Sequence, residues 1–395
     1  MTKKIAILGS TGSIGTKALR VIEALGSQYE IFALSAHCSI ELLTEQTRRY
    51  KPKYIAVTDA NCAAEFGKIA GDLAIDTEIL SGPDSLIEIA EHPEVDIVLS
   101  AVVGAAGLPS VLAAARRGKK IAIANKEPLV IAGELLMKTA KENNSTILPI
   151  DSEHSAICQA LQAGSHEEVS RVILTTSGGP FRKLNYEDLQ NVTLEQALAH
   201  PVWDMGPKIT IDSATMMNKA LEVIEAHWLF DMPADKIEVL VHPESIVHSL
   251  VEFIDGSVIA QLSRPDMCLP IQYALTYPAR VAGIGKQLRL EEIGKLTFEK
   301  PKPKTFRALS LGFEVVRTGG TAAVVFNAAN EAAVQEFLED KIRFVNIIEL
   351  IEHCLNKHDV KKNVSLEEIL QIDDWARREV QNQVYKSKIV KQGNR

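Results

Sequence analysis

The sequence predicts an α/β protein in three parts: an N-terminal doubly wound parallel sheet (Rossmann-like), a central mixed α+β domain and a C-terminal helical bundle. Three observations predict it. Apolar runs alternate with helix-period segments through residues 1–150, strand and hairpin signals gather in 151–290, and beyond a linker at 291–312 the pattern of 313–395 is almost wholly helical. A chain of 395 residues is long enough for two or three separate cores.

Strands are expected at 5–8, 31–34, 54–57, 97–99, 121–124 and 147–150, with helices such as 18–25 and 40–50 between them. That alternation is the pattern of βαβ units on a parallel sheet. The uncharged stretch 97–115, followed by Arg116-Arg117-Gly118-Lys119-Lys120, approaches the length of a membrane span. Gly104, Gly107 and Pro109 interrupt it, so a buried strand, a turn and a short helix is the better reading. In the second part, 172–174, 209–211 and 239–241 read as strands, and 249–254 and 257–262 flank Asp255-Gly256 as a hairpin. A long helix is expected at 214–230, with Ser213 or Asp212 as its cap. Lys300-Pro301-Lys302-Pro303-Lys304 is an extended connector, and 313–338, 346–355, 366–370 and 375–385 are the helices of the bundle. The terminal Lys386, Lys388 and Lys391 read as a solvated helix end.

Composition narrows the class. Hydrophobic residues make up 46% and charged residues 24%, which excludes a disordered or low-complexity chain. With 51 acidic against 43 basic residues the net charge is −8, so no global field attracts nucleic acid, and no membrane association is expected. The five cysteines, Cys38, Cys62, Cys158, Cys268 and Cys354, never form a CxxC pair. No disulfide framework or thiolate zinc site is expected, and with no leader before the first strand the expected location is cytoplasmic.

Gly9-Ser10-Thr11-Gly12-Ser13-Ile14-Gly15 lies between a strand and a helix, where a dinucleotide pyrophosphate binds. Its GxxGxxG spacing is less specific than GxGxxG, and an unliganded turn is the alternative. The second strand runs into His37-Cys38-Ser39 with no acid for a free ribose hydroxyl, which favours NADP over NAD. Asp151-Ser152-Glu153 ends a strand at the ligand edge of the sheet, and in an extended chain its two carboxylates share a side. Asn218 and Glu222 share one face of the 214–230 helix, with Lys219 about 100° around it. Three carboxylates without thiolates suit Mg²⁺ or Mn²⁺; ordinary surface acids are the alternative. Beside Glu153, His154 could serve as a ligand but, as a helix-start histidine, reads as exposed, while His242 and His248 read as packing or hydrogen-bonding residues. Lys126 in Asn125-Lys126-Glu127 and Ser177 in Ser177-Gly178-Gly179-Pro180 are anion donors at strand ends. The loop from His200 to Pro207, with Trp203 and Met205, reads as a flap or as a loop pinned by a buried tryptophan.

In order along the chain, GSTGSIG (9–15), VGAAGL (103–108), ANKE (124–127), PIDSEH (149–154), SGGPF (177–181), HPVWDMGPKITIDSATMMNKALEVIEAHWLF (200–230), HPESIVHS (242–249), DGSV (255–258) and NAANE (327–331) resemble the 1-deoxy-D-xylulose 5-phosphate reductoisomerase family. The resemblance covers essentially the whole chain. It implies an NADP-dependent oxidoreductase of isoprenoid precursor biosynthesis, a homodimer that rearranges a phosphorylated ketose on a divalent metal and reduces it to 2-C-methyl-D-erythritol 4-phosphate. By resemblance, Thr11, Gly12, Ser13, Ile14, Asn125, Glu127 and Gly206 hold NADPH, and Asp151, Glu153 and Glu222 hold Mn²⁺ or Mg²⁺. Substrate contacts fall to Lys126, Ser152, Glu153, Ser177, His200, Trp203, Met205, Ser213, Asn218, Lys219 and Glu222, with Lys126, Glu153 and His200 catalytic. His37-Cys38-Ser39 departs from the Gly-Lys/Arg-Asn type of stretch often found there, and Pro128 replaces a common serine. A semialdehyde-type dehydrogenase would need an activated cysteine, and a nucleotide or metal sensor would bind NADPH without oxidising it.

Overall fold

The computed structural model describes residues 2–72, 76–203 and 205–393, without the side chains of 72 and 387–393. Lys388 and Lys391 therefore lie outside the described side chains, while Lys386 is exposed. The chain forms two compact units, each discontinuous: Met1–Pro128 with Glu134–Cys158 and Asp266–Gln287, and Leu129–Gly133 with Gln159–Pro265 and Leu288–Arg395.

The first unit is built on seven parallel strands: β1 (Lys3–Leu8), β2 (Tyr29–Ala36), β3 (Tyr54–Val57), β4 (Glu78–Ser81), β5 (Ile97–Ser100), β6 (Lys120–Ile123) and β7 (Thr146–Pro149). Their order is β4-β3-β2-β1-β5-β6-β7. The order reverses beside β1, and the crevice at such a reversal is where doubly wound sheets bind ligands. Helices cover both faces, so the inner strands are continuously apolar; Ile5, Ile7, Leu34, Ile55 and Leu99 are buried in one cluster. Edge strand β4, missed in the sequence, is only partly covered. The uncharged stretch 97–115 resolves into β5, a 3₁₀ turn at Gly104–Gly107 and the helix Leu108–Arg116. No helix among the described residues is long and apolar enough to cross a membrane.

The helix Cys268–Thr276 returns to this unit, placing Ile271 and Leu275 in the same cluster. Its carboxyl end is capped by Lys120, whose Nζ donates to the carbonyls of Leu275 at 2.9 Å and Tyr277 at 3.0 Å. Burial lowers the Lys120 ammonium to about 8.

The cysteine expectation is corrected. Cys38 and Cys62 form a disulfide across 24 residues of sequence. Neighbouring parallel strands β2 and β3 carry their following turns to the same sheet edge, which brings together cysteines whose sequence spacing shows no motif. His37 Nδ1 lies 2.9 Å from Thr58 Oγ1 across the same two turns. The other three remain thiols outside any disulfide, and burial pushes them up, to about 11 at Cys158 and Cys268 and about 12 at Cys354. None is an activated nucleophile, which removes the semialdehyde-type reading. Alkylation of denatured, unreduced protein should modify those three and spare Cys38 and Cys62; five modified cysteines in mass spectrometry would contradict the bridge.

The second unit carries a mixed sheet of β8 (Val169–Thr176), β9 (Ile237–Val241), β10 (Val247–Phe253) and β11 (Val258–Leu262), in the order β11-β10-β8-β9. The Asp255-Gly256 hairpin joins β10 and β11 as expected, with Gly256 at φ 86°. Residues 209–211 are not a strand: they lie inside the helix Pro207–Ala214, where the preceding Gly206-Pro207 pair starts a helix and outweighs the β-branched Ile209-Thr210-Ile211 run. The long helix is Met217–Phe230, and Met216, in the left-handed region at φ 64°, separates it from its neighbour. Ser213 and Asp212 therefore belong to the preceding helix and cap nothing downstream.

The C-terminal helices are Arg307–Thr318, Ala322–Leu338, Asn346–Lys357 and Leu366–Gly393. Gly319-Gly320 splits the expected 313–338 helix, both residues having positive φ. The 366–370 and 375–385 segments form one continuous helix. Ala322–Leu338 is buried nearly all round, the mark of a central helix.

Candidate active site

In the first unit, three loops leave the carboxyl ends of β1, β6 and β7. After β1, Gly9 adopts φ 86°, and a Cβ there would sit 2.5 Å from the Ala101 carbonyl oxygen. The loop is fixed to the end of β2: the Gly9 amide donates to Ser35 Oγ, the Ser10 amide to the Ser35 carbonyl, and Ser10 Oγ to Gln46 Oε1. Gly12 then opens the helix Ser13–Leu25 with no side-chain cap. Thr11 and Ile14 are half-buried and Gly12 and Ser13 exposed, so the helix start presents backbone donors of the kind that bind phosphate.

After β6, Asn125 Oδ1 accepts from Ser100 Oγ at 3.3 Å, and Glu127, 6% exposed, begins the helix Glu127–Glu142. Pro128 falls in that first turn, where no intrahelical amide is needed, which accounts for its tolerance there. Lys126 is buried, and its Nζ lies 2.6 Å from Asp151 Oδ2. The extended reading of 151–153 is corrected: Ser152 begins the helix Ser152–Ala160, and Asp151 Oδ1 accepts the Glu153 amide at 3.3 Å. Asp151, two residues past the end of β7, thus caps the helix, a turn that three residues of sequence do not reveal. Ser152 Oγ donates to the Glu153 carboxylate. His154, expected at the surface, is fully buried, with Nδ1 3.5 Å from Asp151 Oδ1; the helix turns it inward.

In the second unit, Ser177 follows β8, and Gly178 and Gly179 have φ 81° and 67°. A Cβ on Gly179 would lie 2.5 Å from the Ser213 carbonyl oxygen, so glycine is what lets this loop press against the Pro207–Ala214 helix. Ser177 Oγ is 3.1 Å from His200 Nε2. Nδ1 of His200 accepts the amides of Val202 at 3.2 Å and Trp203 at 2.9 Å, which assigns the proton to Nε2 and makes the imidazole a donor to Ser177.

Burial lowers the His200 pKa. A neutral histidine that must charge contributes stability present above its unfolded pKa of about 6.5 and lost as pH falls toward the lowered value. An NMR titration should give this imidazole an apparent pKa below that of a free histidine. A raised value would contradict the two backbone donors at Nδ1.

Trp203 and Met205 are half-buried, with the Trp203 ring 6.4 Å from that of His248. Asp204 lies outside the described residues, and Gly206 caps the Pro207–Ala214 helix. His242 is fully buried, its Nδ1 2.8 Å from the Thr297 carbonyl, in keeping with a hydrogen-bonding role. On the Met217–Phe230 helix, Asn218 Nδ2 donates to Glu222 Oε1 at 2.6 Å and the Lys219 ammonium pairs with Glu222 Oε2. Lys219 and Glu222 are 2% and 1% exposed, so the carboxyl group is buried and held by two donors. Asp212, read in the sequence only as a cap, is 1% exposed and ion-paired with Lys208; the i, i+4 spacing of the pair was the available signal.

A doubly wound sheet with a glycine-rich loop after its first strand, and a lysine and carboxylates at the same sheet edge, is the architecture of a dinucleotide-dependent oxidoreductase. Family models agree: 1-deoxy-D-xylulose 5-phosphate reductoisomerase matches residues 5–133, its C-terminal domain 147–230, and the DXP reductoisomerase C-terminal domain 262–379. The Clostridium perfringens reductoisomerase is 48% identical over 375 residues, 95% of this chain and 98% of that one. The enzyme of Caldanaerobacter subterraneus subsp. tengcongensis is 51% identical, covering 94% and 96%. Among solved structures, DOX-P reductoisomerase with NADPH, fosmidomycin and magnesium has a TM-score of 0.92 at 42% identity, covering 98% and 99%. The Zymomonas mobilis enzyme with NADPH has a TM-score of 0.91 at 39% identity, covering 97% and 99%. The chain belongs to the 1-deoxy-D-xylulose 5-phosphate reductoisomerase family, and is an NADP-dependent oxidoreductase of isoprenoid precursor synthesis.

Proposed function

We propose that the chain converts 1-deoxy-D-xylulose 5-phosphate to 2-C-methyl-D-erythritol 4-phosphate with NADPH and Mg²⁺ or Mn²⁺. The observation that carries this is the buried Asn218–Lys219–Glu222 constellation in a chain matched by the family along nearly its whole length. Residues 1–150 bind the dinucleotide and 151–290 carry the chemistry, apart from the helix Cys268–Thr276, which returns to the first unit. The expected linker 291–312 is shortened by the helix that begins at Arg307, and the C-terminal helices from there complete the fold.

Thr11, Gly12, Ser13 and Ile14 bind the pyrophosphate of NADPH, with Asn125, Glu127 and Gly206 along the cofactor. Asp151, Glu153 and Glu222 are the metal ligands; an all-oxygen, thiolate-free donor set fits a hard divalent cation. The metal supplies Lewis acidity at the substrate's carbonyl and hydroxyl oxygens, and NADPH supplies hydride. Lys126 and Glu153 move protons at the carbon skeleton, and Ser152, Ser177, His200, Ser213, Asn218 and Lys219 orient the phosphorylated substrate. Trp203 and Met205 close over it and exclude water. NADPH as reductant and three cysteines kept as thiols support a cytoplasmic location, with the Cys38–Cys62 bridge against it. A homodimer is supported by the apolar side chains exposed on and beside edge strand β11: Ile254, Val258 and Ile259.

The test follows NADPH oxidation with the substrate in Mn²⁺ and after chelation. Metal-dependent oxidation is expected. A folded protein that binds NADPH without oxidising it would be the sensor instead.

A further inference from the structure

The NAANE segment, 327–331, has no part in the functions above, yet two of its residues are fully buried amides. A buried amide costs free energy unless it is hydrogen-bonded. Asn330, on the helix Ala322–Leu338, donates from Nδ2 to Asp212 Oδ1 at 2.9 Å. Only the NH₂ side of an amide suits a carboxylate, so the orientation of Asn330 is fixed by this bond. Asp212 Oδ2 is 2.8 Å from Lys208 Nζ, one turn back on its own helix. One oxygen of the carboxylate is thus held from within the Pro207–Ala214 helix and the other from a helix 118 residues away.

The donor helix is itself anchored. Glu331, next to Asn330, accepts from Asn327 Nδ2 at 3.1 Å and pairs with Arg377, which also holds Asp373. The acceptor helix is short, eight residues with no side-chain cap, so helix propensity alone does not hold it in place. Asp212 immediately precedes Ser213.

We propose that Asn330 and Asp212 are positioning residues: their buried bond fixes the rotation of the last turn of the Pro207–Ala214 helix and so places the Ser213 hydroxyl for the phosphorylated substrate. This rests on the proposed role of Ser213.

Losing this bond frees the last turn of the helix and misplaces the Ser213 hydroxyl, so Asn330→Ala should raise KM for 1-deoxy-D-xylulose 5-phosphate about tenfold or more. KM for NADPH and kcat should stay within about twofold of the parent, because the Ser213 contact holds the substrate phosphate equally in the ground state and the transition state. Asn330→Asp, which sets two carboxylates face to face, should raise it further. The exchange Asp212→Asn with Asn330→Asp restores an amide–carboxylate bond with its partners reversed and should recover most of the loss.

Turnover by the parent chain is measured first, and its absence overturns the substrate-site reading itself. With an active parent, a shift in denaturation midpoint with unchanged substrate KM overturns the positioning role. So does an exchange variant that folds without recovering KM. Should Asn330→Ala not fold, the comparison of Asn330→Asp with the exchange variant still decides.

Discussion

Glu222→Gln should lower metal-dependent kcat/KM about a thousandfold while leaving NADPH binding, followed by its fluorescence, within about twofold of the parent. The substitution keeps the size of the side chain and removes one negative charge from the proposed metal ligands. Lewis-acid stabilisation is worth several kcal/mol, and each 1.36 kcal/mol is a factor of ten in rate. The amide also faces the wrong partners: Glu222 receives donors from both Asn218 and Lys219, so one meets an NH₂ group instead of an oxygen. Lys219, 2% exposed, loses its buried counter-charge, and breaking such a pair costs about 3–5 kcal/mol of stability. Activity is therefore measured well below the variant's melting temperature, with a Mn²⁺ titration beside it. The expected signature is a rightward shift of the Mn²⁺ curve together with the loss in rate. A variant that is less stable but titrates with Mn²⁺ like the parent would remove Glu222 from the metal ligands and leave it a structural partner of Asn218 and Lys219.

The two units differ in how much of them the sequence reveals. The inner strands of the parallel sheet are legible because burial on both faces demands uninterrupted aliphatic runs, as in Ile5-Ala6-Ile7-Leu8. Edge strand β4, Glu78–Ser81, is partly solvated and carries no such run. The return of Cys268–Thr276 to the first unit is illegible for another reason: an apolar helix states that it is buried, not against which sheet. At the site, residue types were readable before their conformations. Asp151 and Glu153 read as ligand-edge acids on an extended-chain argument, whereas the chain has already entered a helix at Ser152. Ile209-Thr210-Ile211 has the composition of a strand, yet Gly206-Pro207 starts a helix that the tertiary contacts of Asp212 then hold. The Cys38–Cys62 bridge depends on two parallel strands ending side by side, which no local spacing encodes.

Gly15→Ala should destabilise the protein by about 3 kcal/mol and abolish saturable NADPH binding, a result that separates the two glycines of the helix start. On propensity alone alanine inside a helix gains about 1 kcal/mol over glycine. The close approach outweighs that gain. A Cβ on Gly15 would lie 2.3 Å from the Gly9 carbonyl oxygen and 2.5 Å from the Ser10 Cα, both backbone atoms. No rotamer relieves such a contact; the loop must move, and overpacking of this kind costs about 1–3 kcal/mol or more. The loop is in turn tied to β2 and Gln46 through Gly9 and Ser10, so moving it breaks buried hydrogen bonds and displaces the phosphate donors together. Gly12 provides the contrast. Its φ is −74°, and its Cβ would meet only the Gly9 carbonyl oxygen, at 3.5 Å. Gly12→Ala should therefore unfold at the parent's urea concentration yet bind NADPH more weakly, because its methyl group would crowd the turn proposed to hold the pyrophosphate. Equal midpoints for both variants would show that the helix and loop are not in backbone contact, and unchanged NADPH binding by Gly12→Ala would move the phosphates away from this turn.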